Sequence, residues 1–217
     1  MDIEQARANM VQQQIRPYEV LDTKLLDLLA TLPREVFVPK QFQQIAFADT
    51  EIPLAENQFM LAPKIIGKIL QAIHVTKREL VLEIGTGSGY LTALLALLSQ
   101  KVTSIEIHKI LYEQARKRLQ TLNIQNVAML HSDAMQELHL AKSCDLIVLT
   151  GSVAYLPNEL SQAMRYGSRI FAVIGQPPIM HACLLTRIDQ NNWSTVQLFE
   201  TCIPQLINVP YQPQFEF

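Results

Sequence analysis

The sequence predicts an α/β fold: a mostly parallel, seven-stranded sheet with helices on both faces, a closing C-terminal hairpin and an N-terminal helical extension. Three observations lead to it. From residue 79 onward, short β-prone runs are separated by longer helical stretches, a pattern that winds a parallel sheet. Three of the chain's seven glycines crowd into GTGSG at 85–89, where the first such run gives way to a leucine-rich stretch. The 217 residues, 49% hydrophobic and 18% charged, can bury an extended core, and the length favours one domain with an appendage.

The elements follow in order. The first 60 residues read as helical and irregular. Leu21, Leu25, Leu28, Leu29 and Leu32 recur at helical spacing around Asp22, a residue suited to capping a helix, until Pro33 and Pro39 interrupt. The next segment, DTEIPLAENQFMLA (49–62), has no clear period. A helix then opens on Pro63, whose missing N–H is harmless in a first turn, and presents Ile65, Ile66, Ile69, Leu70 and Ile73. The strands are ELVLEI, KVTSIEI, NVAMLH, CDLIVLT and SRIFAVIG, with LTALLALLSQ and ILYEQARKRLQTL as helices after the first two. In the second helix Leu111, Ala115, Leu119 and Leu122 form one apolar stripe, while Lys109, Glu113, Arg116 and Lys117 face water. ACLLTRID and STVQLFE, joined by the turn QNNW, make the closing hairpin. The chain thus divides into a helical part, 1–75, and a sheet domain, 76–217.

Composition excludes several classes of function. The net charge is −2, and no block of Lys or Arg marks a nucleic-acid binder. No apolar run reaches the ~18 residues that cross a bilayer, and the first residues lack a secretory pattern, so the cytoplasm is expected. Cys144, Cys183 and Cys202 are far apart without a C-x-x-C, and the five histidines are scattered. Neither a disulfide framework nor a metal site is expected.

The glycines point to a ligand. In an open parallel sheet, ligands bind beyond the carboxyl ends of the strands, and the turn after the first strand offers backbone N–H groups to them. A tight turn alone would also call for glycine. Glu106, however, ends the next strand at about the spacing of an acid that accepts from ribose hydroxyls. Together they suggest an adenosine cofactor. The spacing G-T-G-S-G lacks the third glycine of G-x-G-x-x-G, which argues against a nicotinamide-dependent oxidoreductase.

EIGTGSGY followed by SIEI resembles the first two signatures of the class I S-adenosylmethionine-dependent methyltransferases, whose fold is Rossmann-like. More narrowly, the chain resembles the protein-L-isoaspartate O-methyltransferase family. LPREVFVP (32–39) is similar to that family's V-P-R-x-x-F-V-P, IAFADTEIPL (45–54) to its A-Y-x-D-x-P-L, and DLIVLTGSVAYLP (145–157) to its D-A-I-I-V-T-A-A-x-x-x-I-P. Order and spacing agree across nearly the whole chain.

The resemblance implies S-adenosyl-L-methionine as cofactor. Gly85, Thr86, Gly87 and Ser88, with Gly89 closing the loop, would line its methionine end, with Glu83 just behind. Glu106 would take the ribose hydroxyls, Ile107 would lie against adenine, and Asp133 and Ala134 in HSDAM would meet the adenine amino group. Thr150 matches the family's threonine at the end of the fourth strand. The implied activity is methyl esterification of isoaspartyl residues in damaged proteins or peptides, a repair reaction, by a monomer or homodimer. Segment 49–62 would be the acceptor loop. Here the family's Q-T-I-S-A-P becomes QFMLAP, so Leu61 stands where the family has serine, beside Gln58, which matches, and Met60, which does not. Asn57 replaces the usual glycine, and Ser152 offers a hydroxyl where the family has alanine. No catalytic residue is certain on this reading. The alternatives are a related methyltransferase with another acceptor, or a cofactor-binding protein with little transfer activity.

Overall fold

The computed structural model describes residues 2–190 and 192–209. Asp2 caps α1 (Ile3–Asn9) by accepting from the Gln5 N–H, and the helix runs on into a π-helical turn, Met10–Ile15, that buries Met10, Val11 and Ile15. Asp22 caps α2 (Thr23–Thr31), its carboxylate accepting from the Lys24 and Leu25 N–H groups. That helix buries Leu25, Leu26 and Leu29. Leu21, read as part of the same stripe, is 66% exposed. It precedes the cap, where the chain has not yet entered the helix, so helical spacing does not set its direction.

Segment 49–62 is more regular than its sequence suggests. β1 (Ile52–Pro53) and β2 (Phe59–Met60) pair antiparallel. Their turn holds Glu56 and Asn57 in left-handed conformations, φ +58° and +54°, which asparagine tolerates better than glutamate. Pro63 then opens α3 (Pro63–Ile73), which buries Ile66, Ile69, Leu70 and Ile73 and leaves Ile65 only partly covered.

The main sheet contains β3 (Leu80–Ile84), β4 (Lys101–Glu106), β5 (Val127–His131), β6 (Leu146–Val153), β7 (Arg169–Gln176), β8 (Ile179–Arg187) and β9 (Trp193–Glu200). Their order is β5-β4-β3-β6-β7-β8-β9. Strands β5 to β7 of that order run parallel, and β8 and β9 close the sheet antiparallel. Trp193, expected in the final turn, already pairs with Arg187 as the first residue of β9; Asn191 of that turn lies outside the described residues.

Alternation along the strands makes two cores, because successive side chains point to opposite faces. Val81, Val148 and Phe171 join α3 and α4 (Tyr90–Leu98) on one face, while Leu82, Leu149 and Ile170 meet α6 (Asn158–Ala163) on the other. The helix α5 (Lys109–Thr121) buries Leu111, Ala115 and Leu119, with Leu122 at its C-cap partly covered. The first core is continuous across residue 75, since Met10, Leu29 and Ile69 share it with Val81 and Phe171. Among the described residues, no helix is long and apolar enough to cross a membrane.

Candidate active site

Strand β3 has β4 on one side and β6 on the other, so sheet growth reverses there and the strands' carboxyl ends diverge around a crevice. The crevice is a cleft of about 770 Å³, open mouth included, lined among others by Gly85, Gly87, Glu106, Asp133 and Thr150. A smaller cavity of about 350 Å³ adjoins it, with Thr86, Ser88 and Tyr90 in its walls. Phe59, Leu61, Gly85, Gly87 and Thr150 belong to both.

The loop's glycines answer first to the protein itself. A Cβ on Gly85 would stand 2.2 Å from Thr150 Oγ1, because that hydroxyl sits against the Gly85 and Ile84 carbonyls at 2.6 and 3.0 Å. Gly87 has φ +55° and donates its N–H to Glu106 Oε2 at 2.8 Å. The other Glu106 oxygen accepts from the His108 N–H at 3.0 Å. Glu106 therefore braces the loop from the neighbouring strand. A carboxylate has about four acceptor positions, which leaves capacity toward the cleft.

Glu83 lies behind the loop and lines neither cavity. Its Oε2 accepts from Thr92 Oγ1 at 2.5 Å and Ser104 Oγ at 2.6 Å, and Ser104 Oγ is 2.6 Å from Thr86 Oγ1. Oε1 has no partner. Burial pushes the Glu83 carboxyl up to about 8; the two hydroxyls oppose the shift and the Glu106 charge adds to it. Glu83 does not border the cleft expected to hold the cofactor; it supports the loop through hydroxyls. Gly89, as N-cap of α4, likewise lines neither cavity.

A sequence profile of the family described as protein-L-isoaspartate(D-aspartate) O-methyltransferase matches residues 5–204. The chain belongs to this family. A protein-L-isoaspartate O-methyltransferase of Photobacterium profundum is 34% identical over 161 residues, covering 74% of this chain and 77% of that one. The fold is shared with a Plasmodium falciparum chain described as a protein-L-isoaspartate O-methyltransferase in complex with S-adenosyl-L-homocysteine, with a TM-score of 0.78 at 18% identity over 92% of this chain and 97% of that one. A second structure of that enzyme description gives 0.77 at 20% identity, covering 94% of this chain and 65% of the other.

In this member of the isoaspartate methyltransferase family, Leu61 is 8% exposed and stands on the wall common to both cavities. Leu61, expected at the family's serine position, thus borders both cavities with a side chain that has no donor. Gln58 also lines the cleft, its amide donating to the Glu56 carbonyl at 3.0 Å, while Met60 lines only the smaller cavity. Asn57 is exposed at the hairpin turn and lines neither cavity.

Ser152 is a second correction to the expected acceptor side. It is 1% exposed and donates its hydroxyl to the Ile203 carbonyl at 3.0 Å. Its backbone N–H meets the Pro204 carbonyl, and its carbonyl accepts from the Leu206 N–H. The residue holds a returning C-terminal segment in which Pro204, Gln205, Leu206 and Ile207 form one side of the cleft. The sequence carried no signal for that wall, since the segment has neither period nor motif.

At the other end, Ile107 and Ala134 line the cleft. Asp133 also lines it, with Oδ1 accepting from the Met135 N–H at 2.9 Å and Oδ2 from Asn208 Nδ2 at 2.8 Å. Arg34, within LPREVFVP, is fully buried and donates to the Leu61 carbonyl, a role with no local signature in the sequence. Among the described residues, no group of three or more His, Cys, Asp or Glu side chains could hold a metal ion.

Proposed function

We propose that this chain binds S-adenosyl-L-methionine in the larger cleft and methylates the isoaspartyl carboxylate of damaged proteins or peptides. The observation that carries the reading is the single wall on which Leu61, at the family's acceptor position, meets Gly85, Gly87 and Thr150. The residues fit the cofactor. A bare loop backbone borders the space, Glu106 keeps acceptor capacity for ribose hydroxyls, and Ile107, Asp133 and Ala134 line the cleft for an adenine. When bound, the cofactor supplies an electrophilic methyl group on a sulfonium.

The chain's own contribution is placement. A carboxylate acceptor is already an anion and needs no general base, so rate depends on holding the reacting atoms in line. Phe59 and Leu61 make the shared wall apolar, and the loop braced by Glu106 gives the cofactor a fixed seat. Leucine cannot donate to the acceptor, and losing one such donor in a buried site costs roughly 3 to 4 kcal/mol of transition-state stabilisation. The expected activity on isoaspartate is therefore measurable but poor. Leu61 also favours the second reading, a related methyltransferase with another acceptor.

The cleft is built from one chain, so a monomer or a homodimer would serve. We place the activity in the cytoplasm, in keeping with three free cysteines. The test offers an isoaspartyl peptide, its aspartyl twin and methyl-labelled cofactor to the purified protein. Label on the isoaspartyl peptide alone is expected; label on neither peptide refutes the repair reading.

A further inference from the structure

Arg34 belongs to the 3₁₀ turn Arg34–Phe37 and is fully buried. Its Nε donates to the Ala46 carbonyl at 2.9 Å and its Nη2 to the Leu61 carbonyl at 3.0 Å. Those carbonyls stand on either side of the β1/β2 hairpin, so the forked guanidinium clasps the hairpin at its base. The guanidinium carbon also lies 5.0 Å from the centroid of the Tyr90 ring. Tyr90 directly follows the glycine loop, opens α4 and lines the smaller cavity, with its ring edge-on to Phe37 at 5.4 Å.

This arrangement is expensive for packing alone. Among the described residues no carboxylate lies within ion-pair distance of Arg34, and its Nη1 has no partner. Burial lowers its pKa to about 10, so the group stays charged at neutral pH. An apolar side chain would fill such a space without desolvating a cation. What arginine adds is a rigid plane with donors in fixed directions, here directed at two carbonyls with a ring of the opposite wall against it.

We infer that Arg34 is a positioning residue for methyl transfer: it sets the Leu61 wall against the glycine-loop helix and so fixes where an acceptor comes to rest. This rests on the methyltransferase reading. A misplacement of about 1 Å at a reacting centre can lower a rate about a hundred-fold, and a lysine in this position would keep donors but lose the planar fork that fixes their directions.

The test compares full-length wild type, Arg34→Lys and Glu35→Gln. Glu35 is the neighbouring partly buried residue, ion-paired with Arg7 at 2.5 Å. Its substitution disturbs the same region without removing the clasp. Thermal midpoint, S-adenosylhomocysteine affinity and steady-state kinetics on an isoaspartyl peptide are measured for each. Arg34→Lys should bind S-adenosylhomocysteine within about three-fold of wild type yet lose about ten-fold or more in kcat, whereas Glu35→Gln should lower the midpoint and keep kcat. An unchanged kcat in Arg34→Lys overturns the inference, as does a loss in Glu35→Gln that tracks its midpoint.

If Arg34→Lys does not fold, or if wild type transfers nothing to the peptide, hydrogen exchange on wild type decides. Amides at 59–62 should be protected as strongly as those of α4, and exchange at the rate of an open loop overturns the clasp. Wild type without transfer refutes the function and leaves this exchange test standing.

Discussion

Replacing Glu106 by alanine should damage both fold and binding, by amounts that can be separated. Glu106 is 4% exposed, and its carboxylate accepts from Gly87 N–H at 2.8 Å and His108 N–H at 3.0 Å. Hydrogen bonds to a charged group contribute about 1.5 to 3 kcal/mol each when fully protected. Both donor residues border the cleft, so water can replace part of each bond, and a total loss of about 2 to 3 kcal/mol is expected. For a chain of this length that corresponds to a midpoint lower by about 5 to 10 °C. Loss of the ribose acceptor should weaken S-adenosylhomocysteine binding by a further ten- to hundred-fold or so. Glu106→Gln, which keeps one acceptor oxygen, should show about half the stability loss. Calorimetric melting without ligand and titration with S-adenosylhomocysteine read the two effects independently. An alanine variant that melts within about 1 °C of wild type would show that Glu106 does not brace the loop. One that melts low but binds normally would remove it from the cofactor site.

Leu61→Ser should raise transfer to an isoaspartyl peptide ten-fold or more if about 1.4 kcal/mol of positioning returns; turnover that stays at the wild-type level would mean the acceptor pocket is shaped for something else. Gly85→Ala should destabilise the fold, because its Cβ would stand 2.2 Å from Thr150 Oγ1. Adding Thr150→Ala should recover part of the loss and leave about 1 kcal/mol of backbone strain; a double-mutant cycle with no recovery would rule out that contact as the cause. The Glu83 carboxyl is raised by burial from 4.5 to about 8, so the folded state holds a proton that the unfolded chain releases. Its contribution is full below about pH 4.5 and fades as pH rises through about 8, with a slope of at most about 1.4 kcal/mol per pH unit. The ligand-free protein should melt lower at pH 8 than at pH 6, and Glu83→Gln should flatten that dependence; a wild-type midpoint that rises over this range would contradict it.

Much of the architecture was legible because it rests on local periodicity. The alternation of Val81 with Leu82, or Ile170 with Phe171, sends neighbours into separate cores, and any two-faced sheet requires such a pattern. Asp22 and Pro63 mark helix starts through chemistry that acts within one turn. The GTGSG loop and Glu106 were readable because the first turn of a wound sheet and the end of its second strand are adjacent in any such fold.

The sequence alone determined that a cleft would open beyond the strands' carboxyl ends and which loop and acid would border it. Tertiary structure decided which polar groups face that cleft. Thr150 and Ser152 would share a face in a regular strand, yet the pairing of β6 with β7 slips between Val148 and Ser152. Ser152 is turned to the Ile203 carbonyl, while Thr150 borders the cleft. A slip of this kind depends on the neighbouring strand, and nothing in DLIVLTGSV announces it. Arg34 reaches the Ala46 and Leu61 carbonyls, and Asn208 reaches Asp133, across stretches of chain without shared periodicity. Such contacts form because folding brings remote backbone and side-chain groups into one buried space, where each must find a partner. That requirement is set by the packed molecule and has no local signature.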